Sequence, residues 1–391
     1  MPTAPIYLDH AATTPIDPRV FEAMAPVLTS DFGNASSVHR LGRKARFLVE
    51  DARERVAHHL GAEPSEIVFT SSGTESNNTA LFGAAPSCIV TEPAEHEAVL
   101  QPSARLMDSG VEVVYVPVDE DGAVLESHLA DALSDRDPGL LVSIMTVNNE
   151  TGMKHDIQSL ASAAHGAGGI FHTDAVQAAG VSAVDVDALD VDLMTISGHK
   201  LYGPKGVAVL YVRGGTPFRE LIAGGSQERG RRAGTENVAA IVGMARAMEL
   251  SREELADRNA HLSRLQSRLM QGIEDSLGPH VLFNTPLRED SRAPHIVNVS
   301  FPPLGGIPMD GEMLLLGLDM EGICASSGSA CTSGTIRPSH VLLAMGRDEA
   351  TARAAVRFSI GKDNTEQDID AAIEALVCVT ERLRQKSKTL A

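Results

Sequence analysis

The stretch Val191-Asp-Leu-Met-Thr-Ile196, followed directly by Ser197-Gly-His-Lys200, decides the fold of this chain. A short, mostly apolar run that stops at a glycine is typical of a buried strand, and Lys200 then lies just beyond the strand's carboxyl end. A lysine at the edge of a buried sheet is desolvated, which lowers its pKa and favours the neutral, nucleophilic amine. Such an amine can form a Schiff base with an aldehyde. An ordinary surface lysine is the alternative, and for a lysine taken alone it is the commoner case.

Strand and helix patterns alternate on both sides of this stretch. Strands are predicted at residues 67–70, 88–91, 111–116, 140–147, 170–172, 191–196 and 207–212. Helical apolar spacing occurs at residues 42–60, 97–109, 125–135 and 157–168. This alternation predicts an α/β domain, with a mostly parallel central sheet flanked by helices.

The pattern changes after about residue 235. One long helical pattern runs from residue 237 to about 276, and short strands at 296–301 and 355–359 follow among shorter helices. We therefore expect a large domain over residues 14–250. A smaller α+β domain would combine residues 1–13 with 251–391, and residues 331–338 would form a mobile loop within it.

Charge and composition exclude several classes of function. Lys and Arg number 33 against 52 Asp and Glu, which gives a net charge of −19. Such a chain repels phosphate backbones, so direct nucleic-acid binding is not expected. No apolar run approaches the roughly 18 residues of a membrane span, and the N-terminus does not resemble a signal peptide. Cys88, Cys324, Cys331 and Cys378 form no CxxC pair. They indicate neither a disulfide framework nor a metal site, but a reducing, cytoplasmic setting.

A second strand end carries an acid. The strand-like Phe171-His-Thr-Asp174 ends at Asp174, and Gln177 follows three residues later. An acidic residue at the carboxyl end of such a strand points into the ligand crevice of an open α/β sheet. Pyridoxal phosphate needs an acid there, to keep its ring nitrogen protonated. The alternatives are a helix N-cap for Asp174 and a surface position for Gln177.

A third strand end offers a place for a phosphate. In Ser71-Ser-Gly-Thr-Glu75, Gly73 permits a tight turn, and the following amides and the Thr74 hydroxyl lie at a helix N-terminus,. Many helix starts look like this, so the feature is weak by itself. The chain has neither a GxGxxG fingerprint nor a Walker A sequence, which argues against nicotinamide and nucleotide cofactors.

A phosphate cradle, a strand-end acid and a strand-end lysine, in this order, form a coherent pyridoxal phosphate set. With them, the chain resembles the cysteine desulfurases, a family of the class V aminotransferase group of fold-type I pyridoxal phosphate enzymes. The resemblance runs nearly end to end and rests on Tyr7-Leu-Asp-His-Ala-Ala-Thr-Thr14, Phe32-Gly-Asn34, Ser71-Ser-Gly-Thr-Glu-Ser76, Glu95-His96, Val147-Asn-Asn-Glu150, His172-Thr-Asp-Ala-Val-Gln177, Ser197-Gly-His-Lys200, Arg231-Arg-Ala-Gly-Thr235, Ser326-Ser-Gly-Ser-Ala-Cys-Thr-Ser333 and Val356-Arg-Phe-Ser359. The cysteine segment resembles the group with a long catalytic loop.

The resemblance implies how the cofactor would be held. Lys200 would bind it as a Schiff base, Asp174 would pair with its pyridine nitrogen, and Gln177 would bond its phenolic oxygen. His96 would stack on the ring and move protons. The phosphate would be held by a set drawn from both subunits, namely Gly73, Thr74, Ser197 and His199, with Thr235 from the partner of a homodimer.

The resemblance also implies the substrate contacts and the reaction. Arg357 and Asn34 would bind the carboxylate of L-cysteine, and Asn149 would contact the cofactor or the substrate. Cys331 would take the sulfur as a persulfide and pass it to a protein acceptor, for iron–sulfur clusters or other thio-compounds, while alanine leaves. Its loop of small residues suits movement, whereas the other three cysteines are expected to be inert core thiols.

Several alternatives stay open. Arg357 lies in an apolar strand pattern, where a structural salt bridge would also satisfy it. Another class V enzyme, such as a selenocysteine lyase or a small-acid aminotransferase, would share the lysine, acid and phosphate cradle, although transamination needs no mobile thiol. A non-catalytic adaptor with the same fold is a further alternative, and the presence of Lys200, Asp174 and Cys331 argues against it.

Overall fold

A computed structural model of the chain describes residues 5–134, 136, 138–328 and 337–390, with the side chains of 386–390 excepted. Its strands are β1 (Ile6–Tyr7), β2 (Ile67–Thr70), β3 (Cys88–Thr91), β4 (Glu112–Tyr115), β5 (Leu140–Ser143), β6 (Ile170–Asp174), β7 (Leu193–Ser197), β8 (Ala208–Val212), β9 (Leu282–Phe283), β10 (Ile296–Ser300), β11 (Ile323–Cys324) and β12 (Ala355–Ser359).

The central sheet has seven strands in the order β2-β8-β7-β6-β5-β3-β4. From β7 to β4 the neighbouring strands are parallel, and β8 is antiparallel to both β7 and β2. Parallel strands covered by helices on both faces are buried throughout, which explains the apolar runs of β5 and β7,. The α/β class with a mostly parallel sheet is therefore confirmed.

The helices are α1 (Pro18–Thr29), α2 (Arg40–Leu60), α3 (Gly73–Gly83), α4 (Glu97–Asp108), α5 (Glu126–Leu133), α6 (Ile157–Gly166), α7 (Val186–Leu189), α8 (Val238–Glu253), α9 (Leu255–Leu277), α10 (Gly311–Met320), α11 (His340–Ala344), α12 (Glu349–Arg353) and α13 (Glu366–Leu390). Helix α2 ends as its sequence predicts, because Gly61 adopts the left-handed conformation (φ 68°) that closes a helix,. In the part of the chain that the structure describes, no helix combines the length and apolar character needed to cross a membrane.

The long helical pattern of residues 237–276 is two helices rather than one. Glu254, between α8 and α9, has φ −99° and ψ 3°, which departs from helical values,. The surroundings change at the same point. Helix α8 is apolar and buried on almost every side, whereas α9 buries one stripe that includes Leu262, Leu265 and Leu269. A single straight helix would not satisfy both environments.

Two small sheets use the remaining strands. Strand β10 pairs antiparallel with β12 and β9, and β1 pairs in parallel with β11. The pairing of β1 with β11 places Ile6–Tyr7 beside the C-terminal third of the chain, as the predicted division into two domains requires. The division itself stays a prediction, because one continuous hydrophobic cluster joins Leu8, the central sheet and Phe358.

Candidate functional site

A cavity of about 870 Å³ lies at the carboxyl ends of β2, β6 and β7. In an open α/β sheet this edge is where ligands bind. Most of the residues that the sequence singles out line it, although they come from distant parts of the chain. They are Gly73, Thr74, His96, Asn149, Asp174, Gln177, Ser197, His199, Lys200 and Arg357.

Lys200 ends a short 3₁₀ turn directly after β7. Its Nζ donates hydrogen bonds to the carbonyl oxygens of Ala11 and Ala12, the latter at 2.7 Å. Burial and the nearby Arg357 cation lower the pKa of Lys200 to about 8. A substantial fraction of the amine is therefore neutral near physiological pH, as a Schiff-base lysine requires.

Asp174 is the last residue of β6, and both of its carboxylate oxygens are held. Oδ2 accepts a hydrogen bond from Nδ2 of Asn77 at 2.6 Å, and Oδ1 accepts the Val176 N–H at 2.9 Å. Two donors on one carboxylate fix its orientation in the cavity. Sequence reasoning missed Asn77, which lies four residues after Gly73 on α3. The one available signal was its place just past the Ser71–Ser76 motif.

Gln177 is oriented by two partners. Its Nε2 donates to the Ala11 carbonyl at 2.9 Å, and its Oε1 lies 3.3 Å from Nε2 of His295. Since an amide oxygen only accepts, His295 must carry its proton on Nε2. Burial, with Arg357 adding to it, lowers the pKa of His295 to about 3, so the ring is neutral. Sequence reasoning missed His295, and no local pattern marks it.

Four of the five residues proposed for a phosphate line the cavity around the N-terminus of α3, namely Gly73, Thr74, Ser197 and His199. The first amides of a helix have no partner within it, and a Cβ added at Gly73 would come within 3.2 Å of Val176. Ser197 Oγ is buried without a hydrogen-bond partner among the described residues. Burial and the cations Lys200 and Lys205 lower the pKa of His199 to about 4. The Ser197 hydroxyl therefore lacks a hydrogen-bond partner in the described part of the chain and lies beside the N-terminus of α3. This combination fits an anionic group such as the phosphate of pyridoxal phosphate.

His96 is the N-cap of α4 and is open to the cavity. Its Nδ1 accepts the Ala98 N–H at 3.0 Å, which leaves the proton of a neutral ring on Nε2,. Burial lowers the pKa of His96, and the Lys200 cation acts in the same direction. The ring is therefore a neutral group that presents one N–H.

Arg357 lies in the middle of β12 and is 4% exposed. Its Nη1 donates to the Asn149 carbonyl at 2.7 Å, and its Nη2 pairs with Oδ1 of Asp9 at 2.9 Å. Its Nε is buried and has no partner among the described residues. The salt bridge considered as an alternative is thus present, and Arg357 also lines the cavity. Sequence reasoning missed Asp9, although it belongs to the Tyr7–Thr14 motif.

Two of the candidate residues are not brought to the cavity of this chain. Asn34 is exposed, and its Oδ1 accepts the Ser36 N–H at 2.9 Å in the turn before α2. Thr235 is exposed in the segment between β8 and α8. Neither lines the cavity. Their predicted roles in binding substrate and the partner's phosphate therefore stay predictions.

The remaining candidate, Cys331, lies outside the described residues. The residues flanking its segment, Gly328 and Arg337, do line the cavity. Of the other thiols, Cys88 is buried in β3 as expected and Cys324 is partly buried. The expectation of a core thiol is wrong for Cys378, which is exposed on α13 beside Arg382, because this position faces away from the stripe that α13 buries.

Comparison with known proteins gives a consistent result along the whole chain. The sequence profile of the family described as "Aminotransferase class-V" matches residues 6–372. "Cysteine desulfurase IscS" of Clostridium botulinum is 43% identical over 388 residues, which are 98% of this chain and 96% of that protein. A protein of the same name from Dictyoglomus turgidum is 44% identical over 385 residues, 97% and 95% of the two chains. The solved structure of a "NifS-like protein" superposes with a TM-score of 0.88 at 40% identity, covering 97% of this chain and all of the other.

Proposed function

The chain belongs to the class-V aminotransferase family, and from that premise we propose that it is a pyridoxal-phosphate-dependent cysteine desulfurase. It converts L-cysteine to L-alanine and captures the sulfur as a persulfide on Cys331. One observation carries the proposal: Lys200, with a pKa lowered to about 8, lies in the same cavity as Asp174 and the unpartnered Ser197 hydroxyl, at the carboxyl ends of neighbouring strands. The names of the relatives support the same activity.

The cavity residues fit the cofactor in three places. Lys200 would bind it covalently, while the α3 N-terminus, with Gly73 and Thr74, would hold its phosphate together with Ser197 and His199. Asp174, fixed by Asn77, would pair with the pyridine nitrogen, and Gln177 would bond the phenolic oxygen. When bound, pyridoxal phosphate supplies the electron sink that makes the substrate's α-proton and β-substituent labile.

Two groups of the cavity, Lys200 and His96, would move the protons. Neutral Lys200 Nζ would accept the proton from the α-carbon of the substrate, since a base must lie close to the atom it deprotonates and have a pKa near the working pH. His96, neutral and open to the cavity, would hold a proton at Nε2 for transfer within the site.

The substrate is held by its carboxylate and loses its sulfur to Cys331. Arg357, which lines the cavity, would bind the carboxylate, and Asn149 lies beside it. The thiolate of Cys331 would attack the substrate sulfur, so that the β-carbon–sulfur bond breaks and a sulfur–sulfur bond forms. Cysteine and the enzyme thiol thus become alanine and the enzyme persulfide, which passes its outer sulfur to a protein acceptor.

The assembly and setting are part of the same proposal. The chain would act as a cytoplasmic homodimer in which Thr235 reaches the phosphate of the partner's site, because Thr235 is exposed and does not line its own cavity. The large domain of residues 14–250 would hold the cofactor. The smaller domain, residues 1–13 with 251–391, would carry the Cys331 segment to the cavity.

The test follows the sulfur atom. We expect the loaded enzyme, given limiting L-cysteine, to release alanine and to gain the mass of one sulfur atom on the peptide that contains Cys331. Cys331→Ser should keep the visible absorption of the bound cofactor, and lose both the adduct and most of the alanine. Cys378→Ser, which removes an exposed thiol on α13, is the matched control and should behave like the unaltered chain.

Two outcomes would overturn the proposal. An adduct on Cys88, Cys324 or Cys378 instead of Cys331 would contradict the sulfur acceptor, and absence of alanine would contradict the reaction. An assay with selenocysteine, run in parallel, tests the alternative that the chain is a selenocysteine lyase. Such an enzyme would use selenocysteine and not cysteine.

A further inference from the structure

We propose that Asp9 is the residue that positions Arg357 for the carboxylate of the substrate. This rests on the proposed function, but it concerns a residue that none of the roles above includes. Asp9 lies two residues after β1 and lines the cavity. It is 348 residues away from Arg357 along the chain, so the contact exists only because the N-terminus folds back onto β12.

One oxygen of Asp9 holds two groups of the site. Oδ1 accepts hydrogen bonds from Nη2 of Arg357 at 2.9 Å and from Oγ of Ser326 at 3.0 Å. The backbone of Asp9 is fixed as well, because it forms a β-bridge with Ser359 at the end of β12. The carboxylate is thus held on the strand that carries the arginine, and its position is set independently of any ligand.

Arg357 keeps donors to spare, because a guanidinium has five N–H groups and the two bonds to Asn149 and Asp9 use only two of them,. Its Nη1 is used by the Asn149 carbonyl and its Nη2 by Asp9, while its Nε has no partner among the described residues and the side chain is 4% exposed. An unpartnered buried donor costs stability unless a ligand satisfies it. The two bonds therefore set the plane of the guanidinium, which lines the cavity. Its remaining N–H groups form a planar fork that suits a carboxylate.

Asp9 also balances charge in the cavity. Arg357 and Lys200 are two cations within one small space, and Arg357 disfavours the charged form of Lys200. A buried arginine that loses its counter-ion leaves an uncompensated charge in the fold. The carboxylate of Asp9 supplies the opposite charge at 2.9 Å from Nη2 of Arg357, and it also favours the charged form of Lys200.

The first experiment measures a split between KM and kcat. Asp9→Asn keeps the size of the side chain and an oxygen that can accept from Ser326, but it removes the charge that holds Arg357. We expect KM for L-cysteine to rise about tenfold while kcat changes less than about threefold, since charge-assisted bonds are about twice as strong as neutral ones. An unchanged KM would overturn the proposal.

The second experiment asks whether the effect passes through Arg357. In an Arg357→Ala background, Asp9→Asn should add nothing, because residues that act as a unit are not additive. Full additivity of the two substitutions would overturn the proposal. It would mean that Asp9 acts on the site by another route.

The third experiment does not depend on sulfur chemistry. Binding of L-alanine and of ethylamine to the loaded enzyme is followed by the change in visible absorption. Asp9→Asn should weaken the binding of L-alanine, which has a carboxylate, by about tenfold. It should leave the binding of ethylamine, which has none, unchanged. Equal weakening of both ligands would overturn the proposal. If the chain proved to be a different class V enzyme, this comparison would still test Asp9.

Asp17→Asn is the matched control for damage to the fold. Asp17 is buried in the same N-terminal part of the chain and pairs with Arg19 at 2.8 Å and with Lys362, but it does not line the cavity. We expect this variant to lower the unfolding temperature without changing KM. If Asp9→Asn lowered the unfolding temperature in the same way and left KM alone, Asp9 would be a structural residue only.

Discussion

At the scale of single residues, the pKa of Lys200 depends strongly on its surroundings in the fold. Burial and then Arg357 lower the pKa of its amine to about 8, from an ordinary value of 10.5. Only the neutral amine is a nucleophile, and the neutral form dominates above the pKa. The rate at which the cofactor-free protein captures pyridoxal phosphate should therefore rise about tenfold per pH unit up to about pH 8 and level off above it.

Mixing cofactor-free protein with pyridoxal phosphate over a pH series, and following the visible absorption, checks this prediction. Lys200→Ala should show no covalent capture. Lys205→Ala is the matched control, since Lys205 is exposed five residues further on, and should keep the profile of the unaltered chain. A profile that levels off only near the ordinary lysine pKa would contradict the lowered value.

At the scale of elements, an ion pair fixes the segment between β8 and α8, the segment that contains Thr235. Glu228 Oε2 and Oε1 accept from Nη1 and Nη2 of Arg53 on α2, at 2.8 and 2.9 Å, and Glu228 also accepts the Phe69 N–H of β2. Both side chains are buried. The backbone of Glu228 has φ 46° and that of Arg229 φ 57°, which non-glycine residues rarely adopt,. The ion pair thus holds a strained turn against the sheet.

Glu228→Gln should lower the free energy of unfolding by about 3 kcal/mol, because it leaves the Arg53 charge buried without its counter-ion. Chemical denaturation of the two proteins checks the difference. Glu50→Gln is the matched control, since Glu50 pairs with the same Arg53 at 3.4 Å but is exposed. It should cost less than about 1 kcal/mol. Equal losses of unfolding free energy in Glu228→Gln and Glu50→Gln would contradict the stabilising role of the buried pair between Arg53 and Glu228.

At the scale of the whole molecule, the proposed dimer predicts how defects in two subunits combine. A hybrid of one Lys200→Ala subunit and one Thr235→Ala subunit has one site with both Lys200 and the partner's intact residue 235. If Thr235 acts across the interface, that site should bind pyridoxal phosphate with the affinity of the unaltered protein. If Thr235 acts in its own subunit, each site of the hybrid lacks one of the two residues.

Differently tagged subunits, purified as the hybrid and titrated with pyridoxal phosphate, distinguish these outcomes. The reciprocal hybrid, an unaltered subunit with a Lys200→Ala/Thr235→Ala subunit, is the control. Its one site with a lysine should bind about tenfold more weakly, because a hydrogen bond to a charged phosphate is lost. A chain that stays monomeric and fully active would contradict the interface altogether.

The sequence by itself determined the parts of the site that are local. The apolar runs before Asp174 and Lys200 predict strands β6 and β7, and the carboxyl ends of parallel strands meet at one edge of a sheet. The turn at Gly73 places a helix N-terminus at the same edge. These features depend on a few neighbouring residues and on the general geometry of α/β folds, so the sequence alone was sufficient to predict that they lie together in the proposed cofactor site.

Only the tertiary structure decided which distant side chains support those residues. Asn77 meets Asp174 across 97 positions, His295 meets Gln177 across 118, and Asp9 meets Arg357 across 348. Each contact depends on the strand order of the sheets or on the pairing of β1 with β11. None of these leaves a local periodicity in the sequence. A polar pair buried between distant segments is specified by the packing of the whole core, because its energy arises only once water has been excluded from both partners.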